Sequence, residues 1–308
     1  MRHFITLNDV RTEELRRILE LAASLKRELE TGKQMPYLSG KMLAMIFEKQ
    51  SLRTRVSFET GMFQLGGSSM FLGGEIGFGK RESPKDISEV LSSMVDVIMF
   101  RAMKHQSVTE LAKYSRCPVI NGLTDQAHPC QALADVMTLY EVFGQLQCLK
   151  LAWIGDANNV AASLLRIASK LGIKFSVAAP KNFQFEPKTV EKLVGKNPTD
   201  GFELDLTDDP AQAIKNAHGV YTDVWVSMGQ EAEEAERKAV FAPYQVNSAL
   251  MKKARKDAIF LHCLPARRGL EVTDEVMDSE QSRAIHQAEN RLHAQKGLLV
   301  WLMNEANG

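Results

Sequence analysis

Ser51-Leu-Arg-Thr-Arg55 gathers two guanidinium groups and two hydroxyls into five residues, a composition suited to holding an anion. The run Met42–Phe47 before it is short, apolar and bounded by turn residues, so it reads as a buried strand. Beyond it, Val56, Met62, Phe63 and Leu65 recur at roughly helical spacing until Gly66-Gly67, and Ser51 stands where an N-cap belongs. Arg53, Thr54 and Arg55 therefore fall in the first turn of a helix that starts just after a strand. The helix dipole disfavours cations there. Two arginines at that end would repel one another unless an anion sat between them. Guanidinium groups, a hydroxyl and unbonded backbone N–H groups together are what a phosphate site needs.

Other side chains could join such chemistry. Arg101 follows the apolar run 97–100 and would be costly to bury without an anionic partner. His128-Pro-Cys-Gln131 opens a helix, Asn158-Asn159 opens another, and Asp223 and Ser227 flank Trp225. Cys263 lies in Leu261-His-Cys-Leu-Pro265. Taken singly, each has an ordinary explanation: a salt bridge for Arg101, helix caps for His128 and the asparagines, a solvent-facing place for Gln131. Asp223 and Ser227 could be turn formers, and Cys263 a small buried hydrophobe. What joins Ser51, Arg101, His128, Asn159, Asp223 and Cys263 is that each follows an expected strand.

The elements that must position them alternate along the chain. An amphipathic helix spans Thr12–Glu30, with Leu15, Ile18, Leu19, Ala22 and Leu25 on one stripe. Strands are expected at Met42–Phe47, Ser68–Leu72, 97–100 and 118–120, with a turn at Asn121-Gly122. Helices follow Ser83-Pro84, Val108 and His128, and Gly144 closes the last of these. The second half repeats the rhythm, with strands at 149–154, Lys174–Ala178, Gly219–Thr222 and 258–262 and a helix at 160–171. Residues 73–79 read as a glycine-rich lid, 227–236 as a polar mobile loop, and 283–303 as a long last helix. Strand–helix alternation implies an α/β protein of two domains, each a mostly parallel sheet flanked by helices. The first is expected over 1–144, with the C-terminal helix 283–308 packing back on it, and the second over 145–282. Ligands of such sheets bind beyond the carboxyl ends of the strands, here in a cleft that the two domains would share.

Composition narrows the function. Lys+Arg and Asp+Glu both number 38, and this neutrality argues against a general nucleic-acid or anionic-membrane binder. The four cysteines form no CxxC pair, so neither a zinc site nor a disulfide framework is suggested. No apolar leader or membrane-length run occurs, which makes a cytoplasmic protein the expectation. Gly155-Asp-Ala-Asn-Asn159 lies where a dinucleotide turn would, but lacks GxGxxG, and no GxxxxGK[ST] exists.

Four motifs in order resemble the aspartate/ornithine carbamoyltransferase family. Ser51-Leu-Arg-Thr-Arg55 is similar to its S-x-R-T-R carbamoyl-phosphate motif and His128-Pro-Cys-Gln131 to its H-P-x-Q. Asp223-Val-Trp-Val-Ser-Met-Gly229 and His262-Cys-Leu-Pro265 resemble the loops of the ornithine branch. The resemblance implies transfer of a carbamoyl group from carbamoyl phosphate to the δ-amine of L-ornithine, giving L-citrulline and phosphate in arginine metabolism. Ser51, Leu52, Arg53 and Thr54 would hold the phosphate, helped by backbone N–H groups and by Arg291 from the last helix. Arg101, His128 and Thr54 would polarise the carbamoyl oxygen. Gln131, with the Cys263 and Leu264 carbonyls, would hold the carbamoyl NH2. Asn159 and Asp223 would fix the ornithine head group, with Ser227 and Met228 closing over it, and Cys263 would favour or accept the amine proton.

No metal or organic cofactor is implied, and the partners would be small molecules, with no nucleic acid or membrane. One departure stands out. Where the family usually carries a glutamine that reaches a neighbouring subunit's carbamoyl phosphate, this chain has Gly77. Lys80 is the expected substitute, completing sites shared in a homotrimer or a multiple of it. Rival expectations are transfer to an acylated ornithine or putrescine, and a weakly catalytic relative that acts as a binding protein.

Overall fold

Among the described residues, every strand runs parallel to its neighbours, in two separate sheets. The computed structural model describes residues 1–73, 77–78, 81–226 and 231–306. It divides into two compact units, Met1–Met137 with Glu289–Gly308, and Thr138–Ala288.

The first unit runs through α1 (Thr12–Glu30), β1 (Met42–Phe47), α2 (Leu52–Gln64), β2 (Ser68–Leu72), α3 (Pro84–Ser92), β3 (Val97–Arg101), α4 (His105–Tyr114), β4 (Val119–Leu123) and the start of α5 (Pro129–Phe143). Its strand order is β2-β1-β3-β4. The central β3 is buried at all five positions, as a strand covered on both faces must be. At the edge, β2 is only partly covered. Ile46, Ile98, Phe100, Val108, Leu111 and Val119 form part of one core.

The second unit holds β5 (Lys150–Ile154), α6 (Asn159–Leu171), β6 (Lys174–Ala178), α7 (Pro187–Val194), β7 (Leu204–Thr207), α8 (Pro210–Ile214), β8 (Gly219–Thr222), α9 (Glu234–Phe241), α10 (Ser248–Met251), β9 (Ile259–His262), α11 (Asp274–Met277) and the first turn of α12 (Ala284–Val300). The order β7-β6-β5-β8-β9 reverses direction between β5 and β8, which creates a topological switch point at their carboxyl ends.

Two expectations need correction, and one strand was not expected. Asn121-Gly122 is not a turn but part of β4. The Asn121 amide donates to Ile5 O at 2.9 Å, and a Cβ on Gly122 would lie 2.4 Å from Met99 Sδ, so tertiary packing claims both residues. The expected loop 227–236 is overturned at its far end, because Glu234–Phe241 is helical, with Arg237 and Phe241 buried along it. β7 had no counterpart in the sequence reading, since Leu-Asp-Leu-Thr is a short edge strand without a continuous apolar run. Most of the glycine-rich lid, with Lys80, and Ser227 and Met228 lie outside the described residues.

The C-terminal helix packs on the first unit through a close backbone approach. A Cβ on Gly297 would lie 2.5 Å from Ile18 O and 2.7 Å from Ala22 N, so only glycine admits this contact with α1. Beside it the buried Lys296 ammonium donates to Gln64 Oε1 at 2.9 Å, and Lys26 donates to Asn290 Oδ1 at 2.8 Å. Gly297→Ala is therefore expected to cost about 1–3 kcal/mol of stability through overpacking, read as a shift in the denaturant midpoint. Burial also pulls the Lys296 ammonium down to about 8, from 10.5 when unfolded. Between those values the unfolded chain holds more protons, so this group makes stability rise with pH across that window. Lys296→Met should flatten that rise. Parallel stability profiles for the two proteins from pH 8 to 10 would exclude the buried cation as its cause.

Candidate active site

The first unit places its polar residues at the carboxyl ends of β1, β3 and β4. Glu48 N donates to Arg101 O at 3.0 Å, tying together the exits of β1 and β3. Ser51 is the N-cap of α2, accepting from Thr54 N at 3.4 Å and donating its hydroxyl to Thr54 Oγ1 at 3.0 Å. The first turn of α2 carries no acidic residue, so its positive end is left for an outside anion. Arg55 leaves the pair expected of it. It is exposed, bonds Glu59 at 3.0 Å and lies 4.3 Å over the Phe71 ring. On a helix the position after Thr54 points about 100° away from it, and an acid at i+4 claims the guanidinium.

Arg291 of α12 takes the place opposite. Its guanidinium donates to Thr54 Oγ1 at 3.0 Å and to Gln131 Oε1 at 3.2 Å, and Gln131 Nε2 donates to Asp135 Oδ1 at 2.8 Å. All four of these side chains are essentially buried. Arg101 and His128 are buried beside them. Burial pushes the His128 imidazole well below its usual range, and the charges of Arg291, Arg101 and Arg53 push it further. The ring is thus neutral at pH 7, surrounded by three fixed cations. Such a focus can bind a dianion and stabilise a developing oxyanion. The neighbouring Cys130 is inert, its thiol pushed up to about 12 by burial.

The second unit builds a different site at its switch point. Asp223 directly follows β8, and its Oδ1 accepts from the Cys263 thiol at 3.0 Å and from Val224 N at 2.8 Å. Its Oδ2 accepts from Asn158 Nδ2 at 2.9 Å. Asn158 also caps α6, accepting from Val160 N and Ala161 N. The sequence marked Asn158 only as a cap and favoured Asn159, which is the first residue of α6 and half-buried. Helix-start asparagines in tandem are interchangeable on paper, and the bond to Asp223 shows that Asn158 does more than cap.

After β9, Cys263 and Leu264 lie on a turn held by His262. The imidazole Nδ1 accepts from Leu264 N at 2.9 Å, which places the ring proton on Nε2, facing Glu271 Oε1 at 3.1 Å. Asp223, His262 and Cys263 offer ligand atoms within 4.8 Å of one another. Both nitrogens of the imidazole are already committed, however, so a metal there would have to break the turn. A cavity of about 660 Å³ in this unit is lined by Lys150, Lys174, Lys215, His218 and Arg255. It opens at the amino ends of β5, β6 and β8, away from Asp223 and Cys263, and Lys150 Nζ there donates to Lys215 O.

Comparison with known proteins finds one family model in each half of the chain. Residues 2–141 match the model described as the aspartate/ornithine carbamoyltransferase carbamoyl-P binding domain, and residues 147–302 the Asp/Orn binding domain. The chain is 52% identical over 301 residues to the ornithine carbamoyltransferase of Anoxybacillus flavithermus, covering 97% of this chain and 96% of that protein. It is 51% identical over 296 residues to that of Bacillus subtilis, covering 96% and 92%. Among solved structures, the Pyrococcus furiosus ornithine carbamoyltransferase superposes with a TM-score of 0.94 at 47% identity, covering 99% of this chain and 97% of that one.

Inorganic phosphate should raise the thermal midpoint of the wild-type chain, and should do so far less in Arg53→Ala. At about a hundred times its dissociation constant the gain is about 2.7 kcal/mol. Equal shifts in the two proteins would place the anion elsewhere.

Proposed function

The chain belongs to the aspartate/ornithine carbamoyltransferase family, and we propose that it catalyses the reaction of the ornithine branch. L-Ornithine and carbamoyl phosphate give L-citrulline and phosphate. The observation that carries this reading is the split of charge between the two units. Arg53, Arg101 and Arg291 gather round neutral His128 in one. In the other, the Asp223 carboxylate is presented by Cys263 and Asn158. The first suits a phosphate and a developing oxyanion, the second an amino-acid ammonium group.

In this reading residues 1–144, with 283–308, bind carbamoyl phosphate, and residues 145–282 bind ornithine. Ser51, Arg53, Thr54 and the N–H groups from Leu52 onward hold the phosphate, with Arg291 braced on Thr54 and Gln131. Arg101, His128 and Thr54 meet the carbamoyl oxygen. The δ-nitrogen attacks the carbamoyl carbon, the oxyanion collapses, and the C–O bond to phosphate breaks. Gln131, with the Cys263 and Leu264 carbonyls, holds the NH2. A free alkylamine of this kind has a pKa of about 10.4, so only a small fraction is nucleophilic at pH 7. Cys263, whose thiol donates to Asp223, is placed to favour the neutral amine, or to take its proton while passing its own to the Asp223 carboxylate. Asn158 joins Asn159 and Asp223 at the head group, with Ser227 and Met228 closing over it.

The same reading makes the protein a cytoplasmic enzyme of arginine metabolism, working as a homotrimer or a multiple of it, with Lys80 completing a neighbour's site. Four unbridged cysteines support a reducing compartment. Exposed apolar side chains on the first unit support assembly, among them Leu52 and Phe63 of α2 and Met94 after α3.

A citrulline assay with purified protein and a panel of amines tests the assignment. L-Ornithine should exceed putrescine and N-acetylornithine by orders of magnitude, because each missing charge leaves a buried partner unpaired at about 1–3 kcal/mol. Asp223→Ala should mainly weaken ornithine, and Arg53→Ala carbamoyl phosphate. Equal turnover of N-acetylornithine would overturn the choice of ornithine.

A further inference from the structure

Arg237 lies outside the machinery described so far, yet it bridges the two turns that carry the amine-side residues. It sits on α9, 3% exposed, and its guanidinium forms an ion pair with Asp156 in the turn after β5. Its Nε donates to Trp225 O, two residues beyond Asp223, at 2.6 Å. The Phe183 and Phe241 rings, in edge contact with each other, pack against it 4.8 and 5.4 Å from the guanidinium carbon, so the group has aromatic support beside its polar partners. Asp156 is itself fixed, its carbonyl accepting from Trp153 Nε1 at 2.9 Å and from Asn158 N at 2.7 Å.

β5 and β8 are the neighbouring strands of the switch point, and their exits carry Asn158 and Asp223. Those two side chains touch through one hydrogen bond at the mouth. Behind them, Arg237 supplies the only cation bonded to both exits among the described residues. We propose that Arg237 is a positioning residue for the amine substrate: by bonding Asp156 and Trp225 O together it sets the spacing between Asn158 and Asp223. It touches no reacting atom. This inference rests on the proposed ornithine reading of the same site.

Arginine suits the place because its planar fork presents Nε and a terminal nitrogen to two acceptors along separate fixed directions, whereas a lysine's donors all radiate from one nitrogen. Arg237→Lys is thus the discriminating variant, since it keeps the charge that balances Asp156 and drops one of the two links. Its KM for L-ornithine should rise about tenfold or more, since displacements of about 1 Å at a binding site cost that much and beyond. The KM for carbamoyl phosphate should stay unchanged, kcat should fall less than threefold, and the thermal midpoint should hold within a few degrees. Asp156→Asn should give the same split, and the double variant should be no worse than the poorer single one.

An unchanged ornithine KM in Arg237→Lys overturns the proposal. So does a matched loss in both KM values together with a fallen midpoint, which would mark Arg237 as a general stability residue. Calorimetric titration with L-ornithine in the presence of phosphate reports on binding without turnover. If the wild type binds ornithine there but makes no citrulline, the reaction assigned above fails, and the weakening of binding in Arg237→Lys still decides this inference. If the wild type does neither, both fall.

Discussion

Three guanidinium groups around a buried, neutral imidazole make an arrangement that folding must hold against its own repulsion. Arg53 comes from a helix start, Arg101 from a strand end and Arg291 from the last helix. Arg101 and Arg291 are expensive to bury, and the field of all three cations also disfavours a charge on His128. Positive charge is therefore gathered in one place, which in the proposed reading suits an incoming anion. Preorganised charge of this kind does not have to reorganise as the reaction proceeds, which is why it stabilises a transition state better than water does.

That gathering of charge explains features far from the chemistry. Arg291 reaches Thr54 only because α12 lies close against α1 and α2, and that closeness depends on the missing side chain of Gly297. A buried ammonium at Lys296 is tolerated one residue earlier because Gln64 and a helix carbonyl accept from it. Asp135 orients the Gln131 amide, so that its oxygen, not its nitrogen, faces Arg291. Each contact is modest by itself, and together they leave Arg291 few alternative positions.

The second unit solves the opposite problem. In the proposed reading Asp223 receives an ammonium group, and a resident cation would compete for it. Asp223 is instead held by neutral donors, a thiol, an amide and a backbone N–H. The guanidinium of Arg237 is kept one layer back, spent on Asp156 and a carbonyl. Burial raises the Asp156 carboxyl above its usual range despite that partner, with Asp223 and Glu233 adding to the rise. The same physics thus gathers cations in one unit and keeps one at a distance in the other.

Much of this was legible in the chain itself. Apolar runs such as Met42–Phe47 and 97–100 define buried parallel strands because both faces are covered. Polar residues at their exits mark the ligand ends, and four motifs name the family. Local signals failed where a residue's partner is distant in sequence. Arg55 and Arg53 look equivalent until Glu59 and Phe71 claim one of them. Asn158 reads as no more than a cap until its bond to Asp223, 65 residues away, is seen. Asn121-Gly122 carries a turn signal that the N-terminal segment overrides by bonding to the Asn121 amide. Periodicity and capping are properties of neighbouring residues, so the sequence by itself determined the elements and the kind of chemistry at their ends. Which of two like side chains faces the site depends on contacts between segments, and only the tertiary structure decided that.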